Sequence, residues 1–192
     1  MLKTKHLLIS LLVISFALRI WRIDFPQAYV FDEVYYPFTA GEYLQNNTAA
    51  WEWWTTAPKG NSYAWVNPPL AQEMMAISMQ VFGSDNYWSF RLPGVFLGVL
   101  SIYLLYLISM TLFKNQRVAL ISAFLFSLDG LTLVQSRTGM LDIYLLTFLL
   151  TSLYFILTKR FFWSALFLSF AISTKWTGFY IIPLYIWLLI KD

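Results

Sequence analysis

Residues 92–113 read LPGVFLGVLSIYLLYLISMTLF, twenty-two residues without a charge. A helix needs about 20 mostly apolar residues to cross the hydrocarbon core of a bilayer, so this run is long enough to span. Similar runs recur on either side of it. Residues 7–20, extending to Trp21, make a marginal first span, and 118–128 continues through 131–134 with only Asp129 and Gly130 between. Residues 140–157 hold one charge, Asp142, near their start, and 161–172 and 177–190 form a final pair around Lys175. The expected fold is therefore all-α, a polytopic transmembrane helical bundle of about six spans, with residues 161–172 the shortest.

Composition agrees. Of 192 residues, 59% are hydrophobic, 20% aromatic and 12% charged. A soluble domain carries about twice that charged fraction to wet its surface, so the natural solvent here is lipid. Lys3 and Lys5 before the first apolar run resemble the start of a secretory signal, but no small-residue cleavage site follows. The chain continues instead into Arg19, Trp21 and Arg22, which favours an uncleaved first span. The chain has no cysteine, hence no disulfide framework and no thiolate metal site. The formal charge of +3 is divided among short loops and forms no basic stripe, so nucleic acid is not an expected partner.

Charge also orients the spans. With a cytoplasmic N-terminus, the inner segments carry Lys3, Lys5, Lys114, Arg117, Lys159, Arg160 and Lys191, as short flanks obeying the positive-inside rule do. Every acid except Asp192 then faces outward. Residues 23–89 become an external loop crowded with Trp51, Trp53, Trp54, Trp65 and Trp88 and with tyrosines, ring types that favour a membrane interface. Within it, 33–45 and 69–82 have helical period and are expected as short helices along the membrane surface. Asn46, Asn47, Pro58-Lys59-Gly60 and Asn67-Pro68 are turn signals.

Several polar residues need a reason. Asp32 and Glu33 are adjacent carboxylates in an aromatic setting, suited to act as a base; the plain alternative is that one caps the following helix. Arg137 and Asp142 lie at the outer ends of two spans, with Asp129 before them. Charges at membrane depth mark a function or a buried partner, so Arg137 either pairs with Asp142 or Asp129, or holds a phosphate with its planar donor fork. Lys175 reads as a snorkelling lysine when taken alone. Together Arg19, Arg91, Arg137 and Lys175 are expected to converge on the face presenting Asp32 and Glu33, a site for an anionic, membrane-embedded ligand. There is no Walker loop, no GxGxxG, and the lone His6 cannot form a paired-histidine zinc site. Energy for chemistry must arrive with the substrate, as it does in an activated lipid phosphate.

The chain resembles the protein O-mannosyltransferase family, membrane glycosyltransferases of the GT-C type, at five stretches. They are Phe31-Asp32-Glu33-Val34-Tyr35, Asn67-Pro68-Pro69-Leu70, Phe90-Arg91-Leu92-Pro93-Gly94, the stretch from Asp129 to Asp142, and Ser173-Thr174-Lys175-Trp176-Thr177-Gly178. The resemblance implies an inverting transfer of mannose from polyprenyl (dolichyl) phosphate to a Ser or Thr hydroxyl of a polypeptide on the external face. It makes Asp32 the general base and Glu33 its support or the acceptor's positioner. Arg91 and Arg137 would bind the lipid phosphate, Arg19 would orient the acidic pair, and Asn67, Asp142 and Lys175 would belong to the substrate site. No metal and no cofactor beyond the lipid-phosphate sugar is expected. Two positions depart from the family pattern: Asn67 stands where the tetrad usually has histidine, and Gln72 where a lysine usually follows. Residues 1–192 are expected to form one transmembrane glycosyltransferase domain, incomplete at its C-terminus, in an integral multi-pass protein of the plasma membrane. Alternatives are a GT-C enzyme with another lipid-linked sugar or a lipid acceptor, or an inactive homologue. A transporter would place charges at mid-span, often with an internal repeat, whereas here they sit at span ends.

Overall fold

The computed structural model describes residues 2–191, and among them the protein is all-helical, with no strand. Lys3, Lys191 and Asp192, which enter the charge count above, lie outside the described side chains. Helix α1 (Leu2–Ile20) leads into an irregular segment carrying a 3-10 turn (Phe31–Val34), then α2 (Tyr36–Leu44) and a second 3-10 turn (Thr48–Trp51). An extended stretch brings the chain to α3 (Leu70–Phe82) and α4 (Tyr87–Phe113). Short connections then link α5 (Gln116–Ser127), α6 (Gly130–Gln135), α7 (Leu141–Leu157) and α8 (Phe161–Ile172). A third 3-10 turn (Trp176–Ile181) runs into α9 (Ile182–Lys191).

The uncharged run 92–113 lies in the central helix, α4. α4 packs against α1, α3, α5 and α7, and α7 pairs with α8. By length and composition α4 is the one described helix able to cross a membrane, its 27 residues rising about 40 Å. The other apolar helices are shorter, and one expected span is divided. The apolar stretch 118–134 is two helices, because the Asp129 carboxylate accepts the Thr132 N–H at 2.7 Å and so caps a new start at α6.

Proline 93 lies inside α4 and has no N–H to give the carbonyl four residues back, that of Ser89. The Ser78 hydroxyl of α3 donates to that carbonyl at 2.6 Å, so the gap in the ladder becomes a tie between helices. Small polar residues bind the remaining contacts in the manner of membrane bundles. Ser101 and Thr147 join α4 to α7 at 2.8 Å. Ser152 and Ser164 each donate to the other's carbonyl, at 2.7 and 3.0 Å, to close α7 on α8. Gly94 and Gly98 let α4 approach Ser136; a methyl on Gly98 would come within 2.6 Å of its Cβ. Large apolar residues such as Leu7, Phe96, Ile121 and Phe162 remain exposed around the outside.

The segment between α1 and α4 is more deeply packed than surface-lying helices would be. α2 and α3 pack on each other and α3 on α4, and Ala40, Ala71, Met75, Met79, Phe90, Leu141 and Tyr144 form one buried core. The helix expected over 33–45 breaks at Tyr35, after the 3-10 turn, and restarts with Pro37 in its first turn. The helix expected over 69–82 forms as α3.

Candidate active site

The adjacent carboxylates part company in the structure. Glu33 is wholly buried. Its Oε2 accepts the Val30 N–H at 3.0 Å and Arg91 Nη2 at 2.7 Å, while its Oε1 accepts Arg91 Nε at 2.8 Å and the Gly139 N–H at 2.8 Å. The acid that caps the local turn is therefore Glu33, and Asp32 caps nothing. Arg91 spends its remaining donors on backbone: Nη1 reaches the carbonyls of Ile23 and Pro26 at 3.0 and 3.1 Å, and Nη2 that of Ala28 at 3.0 Å. A guanidinium has five N–H donors, and all five are used inside the protein. None is left for a phosphate. Gly139 is required here by space, since a Cβ would meet Pro37 Cγ at 2.5 Å.

Asp32 points to a different neighbourhood. It lines an open cavity of about 410 Å³ with Tyr35, Tyr36, Ser62, Tyr63, Ala64, Trp65, Val66 and Asn67. Two ties set the far wall against the near one: Ser62 N–H donates to the Val34 carbonyl at 3.2 Å, and Ala64 N–H to Thr39 Oγ1 at 3.0 Å. The Asn67–Leu70 tetrad is held in turn by the last connection of the chain. Leu70 N–H donates to the Ser173 carbonyl at 3.1 Å, and Trp176 Nε1 to the Val66 carbonyl at 2.9 Å. Gln72 is buried with its amide against the Pro69 and Pro68 carbonyls, and assigning the amide nitrogen to that side, 3.1 and 3.3 Å from them, satisfies it at the start of α3.

Tyr36 joins Asp32 electrostatically to a second acid, Asp142, which does not line the cavity. Burial first, then the charges of Asp32 and Asp142, push its phenol up to about 12, and the Asn67 side chain, in hydrogen-bonding reach, pulls the other way. Asp142 itself pairs with Lys175, Nζ to Oδ1 at 2.8 Å, with both side chains partly exposed. Asp32, Tyr36, Asn67, Asp142 and Lys175 thus form one connected polar group. Among the described residues Asp32 has no hydrogen-bond or ion-pair partner. The geometry offers an uncommitted carboxylate beside a neutral phenol, with a cation one residue pair away.

The four cations do not converge. Arg91 is locked on Glu33, and Lys175 is paired with Asp142. Arg137 donates through Nη2 to the Trp21 carbonyl at 2.5 Å and pairs with neither Asp129 nor Asp142. Arg19 is buried between α1, α4 and α6, with Nη1 on the Ser15 carbonyl at 3.3 Å and its other nitrogens, Nε and Nη2, unpartnered. Arg19 takes a carbonyl of its own helix, whereas Arg91 and Arg137 take acceptors 58 to 116 residues away, which charge spacing along the chain does not encode. Sequence reasoning missed Tyr36 as part of the site, and its place one turn after Asp32 was the available signal.

Comparison with known proteins gives consistent results. A curated relative, the polyprenol-phosphate-mannose–protein mannosyltransferase of Corynebacterium glutamicum, is 29% identical over 150 residues, covering 62% of this chain and 29% of its own. Protein O-mannosyl-transferase 1 of Rattus norvegicus is 26% identical over 157 residues, 73% of this chain and 19% of its own. The chain therefore spans less than a third of the length of either relative. Among solved structures, the S. cerevisiae protein O-mannosyltransferase Pmt1-Pmt2 complex bound to the sugar donor shares the fold, with a TM-score of 0.74 at 24% identity over 100% of this chain and 29% of that one. The family model for dolichyl-phosphate-mannose-protein mannosyltransferases matches residues 9–191, nearly end to end, and the chain belongs to that family.

Proposed function

We propose that the protein carrying this chain transfers mannose from a polyprenyl-phosphate donor to a Ser or Thr hydroxyl of a polypeptide, with inversion, on the external face of the membrane. The observation that carries the reading is the uncommitted Asp32 in the wall of an open cavity, beside a neighbour whose partners are all filled. Asp32 takes the proton of the acceptor hydroxyl as that oxygen attacks the anomeric carbon. The sugar–phosphate bond breaks on the opposite side, and the lipid phosphate leaves with its charge. General-base catalysis of this kind contributes about 10²–10⁴ in rate.

Lys175 is the cation placed to meet the departing phosphate, because its partner Asp142 acts on the Tyr36 phenol of the cavity wall and the pair keeps partial exposure. Glu33 and Arg91 are positioning residues: they fix the 3-10 turn that carries Asp32 and tie it to the loop at Gly139. Tyr36, neutral at any working pH, can donate to Asp32 or to a substrate oxygen. The six-span topology, the cytoplasmic N-terminus and the external site are part of this proposal, supported by the inner-loop lysines and arginines.

The experiment is transfer of radiolabelled mannose from polyprenyl-phosphate-mannose to a Ser/Thr peptide by membranes containing the full-length protein or its Asp32→Asn variant. Loss in the variant, at equal protein level, supports both the reaction and the base. Equal transfer by both forms sinks the role of Asp32, and transfer by neither sinks the reaction.

A further inference from the structure

A second cavity opens directly beside the one that holds Asp32. It measures about 460 Å³ and is lined by Tyr43, Ala50, Trp51, Trp53, Ala64, Trp65, Asn67, Pro68, Pro69 and Trp176. Ala64, Trp65 and Asn67 line both cavities, so the two share a wall. No charged side chain lines the second cavity. Its rings are held in place. Tyr43 and Trp51 stack with centroids 4.2 Å apart and planes 11° from parallel. The indole nitrogen of Trp65 donates to the Ala50 carbonyl at 3.1 Å, and that of Trp176 to the Val66 carbonyl at 2.9 Å. With those N–H groups spent, what these rings present is apolar faces. Four tryptophans and a tyrosine close on one concavity from α2, the second 3-10 turn, the extended stretch and the third 3-10 turn.

We propose that this aromatic groove is the subsite for the residues flanking the acceptor hydroxyl, and that it selects an uncharged, extended polypeptide with apolar side chains over a charged one. The inference rests on the reading of Asp32 as the base. If an acceptor hydroxyl lies at Asp32, the chain bearing it must leave that cavity, and the shared wall leads it across the rings. Apolar flanking side chains gain contact with fixed aromatic faces. A lysine or glutamate there would lose water and find no partner. Asn67, at the junction, is placed to hydrogen-bond the acceptor backbone as it passes, and it is also the position that departs from the family's usual histidine. The groove therefore reads sequence context, while Asp32 performs the transfer.

The test uses the full-length protein and two serine peptides that differ only in flanks, one with leucine and alanine, the other with lysine and glutamate. The expected result is a KM lower by about 5–20-fold for the apolar peptide. Trp51→Ala and Trp53→Ala should each bring that gap below about threefold, whereas Trp54→Ala, which does not line the groove, should keep it. Both substituted rings are largely exposed, at 57% and 72%, so their removal leaves no hole in the core, and elution as the wild-type peak on size exclusion checks this. Absence of a gap in the wild type, or a gap untouched by both substitutions, overturns the proposal. If the wild type transfers nothing, the proposed reaction has failed, and fluorescence anisotropy of the two labelled peptides decides the groove separately by the same comparison. Displacement of the bound peptide by polyprenyl phosphate alone would assign the groove to the donor and overturn the proposal as well.

Discussion

Two adjacent carboxylates, Asp32 and Glu33, make the instructive comparison. Glu33 sits in a dry knot where every oxygen and every N–H is matched: a bidentate arginine, two backbone amides, and three carbonyls behind the arginine. Asp32 sits one residue away in the wall of an open cavity, with no hydrogen-bond or ion-pair partner among the described residues. The first arrangement costs desolvation and returns rigidity; breaking one half of such a pair leaves an uncompensated buried charge. The second keeps a proton acceptor available. A charge that is saturated cannot react, and a charge that must react needs a saturated neighbour to hold its backbone still.

That contrast can be broken at several points. Asp32→Asn should lower mannosyl transfer by about 10²–10⁴ while leaving the thermal midpoint of the purified protein unchanged. Glu33→Gln or Arg91→Met should do the reverse in order of cause, destabilising the fold by about 3–5 kcal/mol and losing activity only as folded protein is lost. Fluorescence-detected size exclusion after heating separates the two, and Arg91→Lys should not rescue, because an ammonium cannot reproduce the five-donor fork. An Asp32 variant that unfolds, or a Glu33 variant that folds fully yet is inactive, would blur the distinction.

Lys175→Met should raise the KM for the lipid-phosphate sugar by about tenfold, the value of one charge-assisted contact, with little change in the KM for peptide. Gly139→Ala should cost about 1–3 kcal/mol, because the added methyl meets Pro37 at 2.5 Å, and the same heating assay measures it. The smallest effect concerns Tyr36. Its phenol is raised to about 12, by burial and then by Asp32 and Asp142, so the folded state holds this proton more tightly than the unfolded chain. The contribution is complete below the ordinary tyrosine value and fades as pH climbs toward about 12. Tyr36→Phe should therefore flatten part of the alkaline loss of stability and leave the neutral range unaltered.

Much of the site was legible from residue type. The pairing of acids near a span, the arginine at the head of the long apolar run and the lysine in the last connection all enter the polar network, although as two networks. Their division was not legible, because it depends on which way each side chain leaves a 3-10 turn whose boundary falls at Tyr35. Gln72 reads in the sequence as a lost lysine, and only its burial against Pro68 and Pro69 shows it serving the start of α3. Arg19 was expected to orient the acids, yet it lies behind Gly98 and Ser136 with no contact to either.

By itself the sequence determined the class: apolar runs too long and too poor in charge for a watered surface have helix and lipid as their outcome, and the family motifs survive as local strings. Tertiary structure alone decided the chemistry available at each residue. A carboxylate becomes a base or a strut according to the donors that reach it, and those donors come from residues 58 and 106 positions away in the chain. Local pattern fixes what a segment buries, but only packing fixes what a buried charge meets.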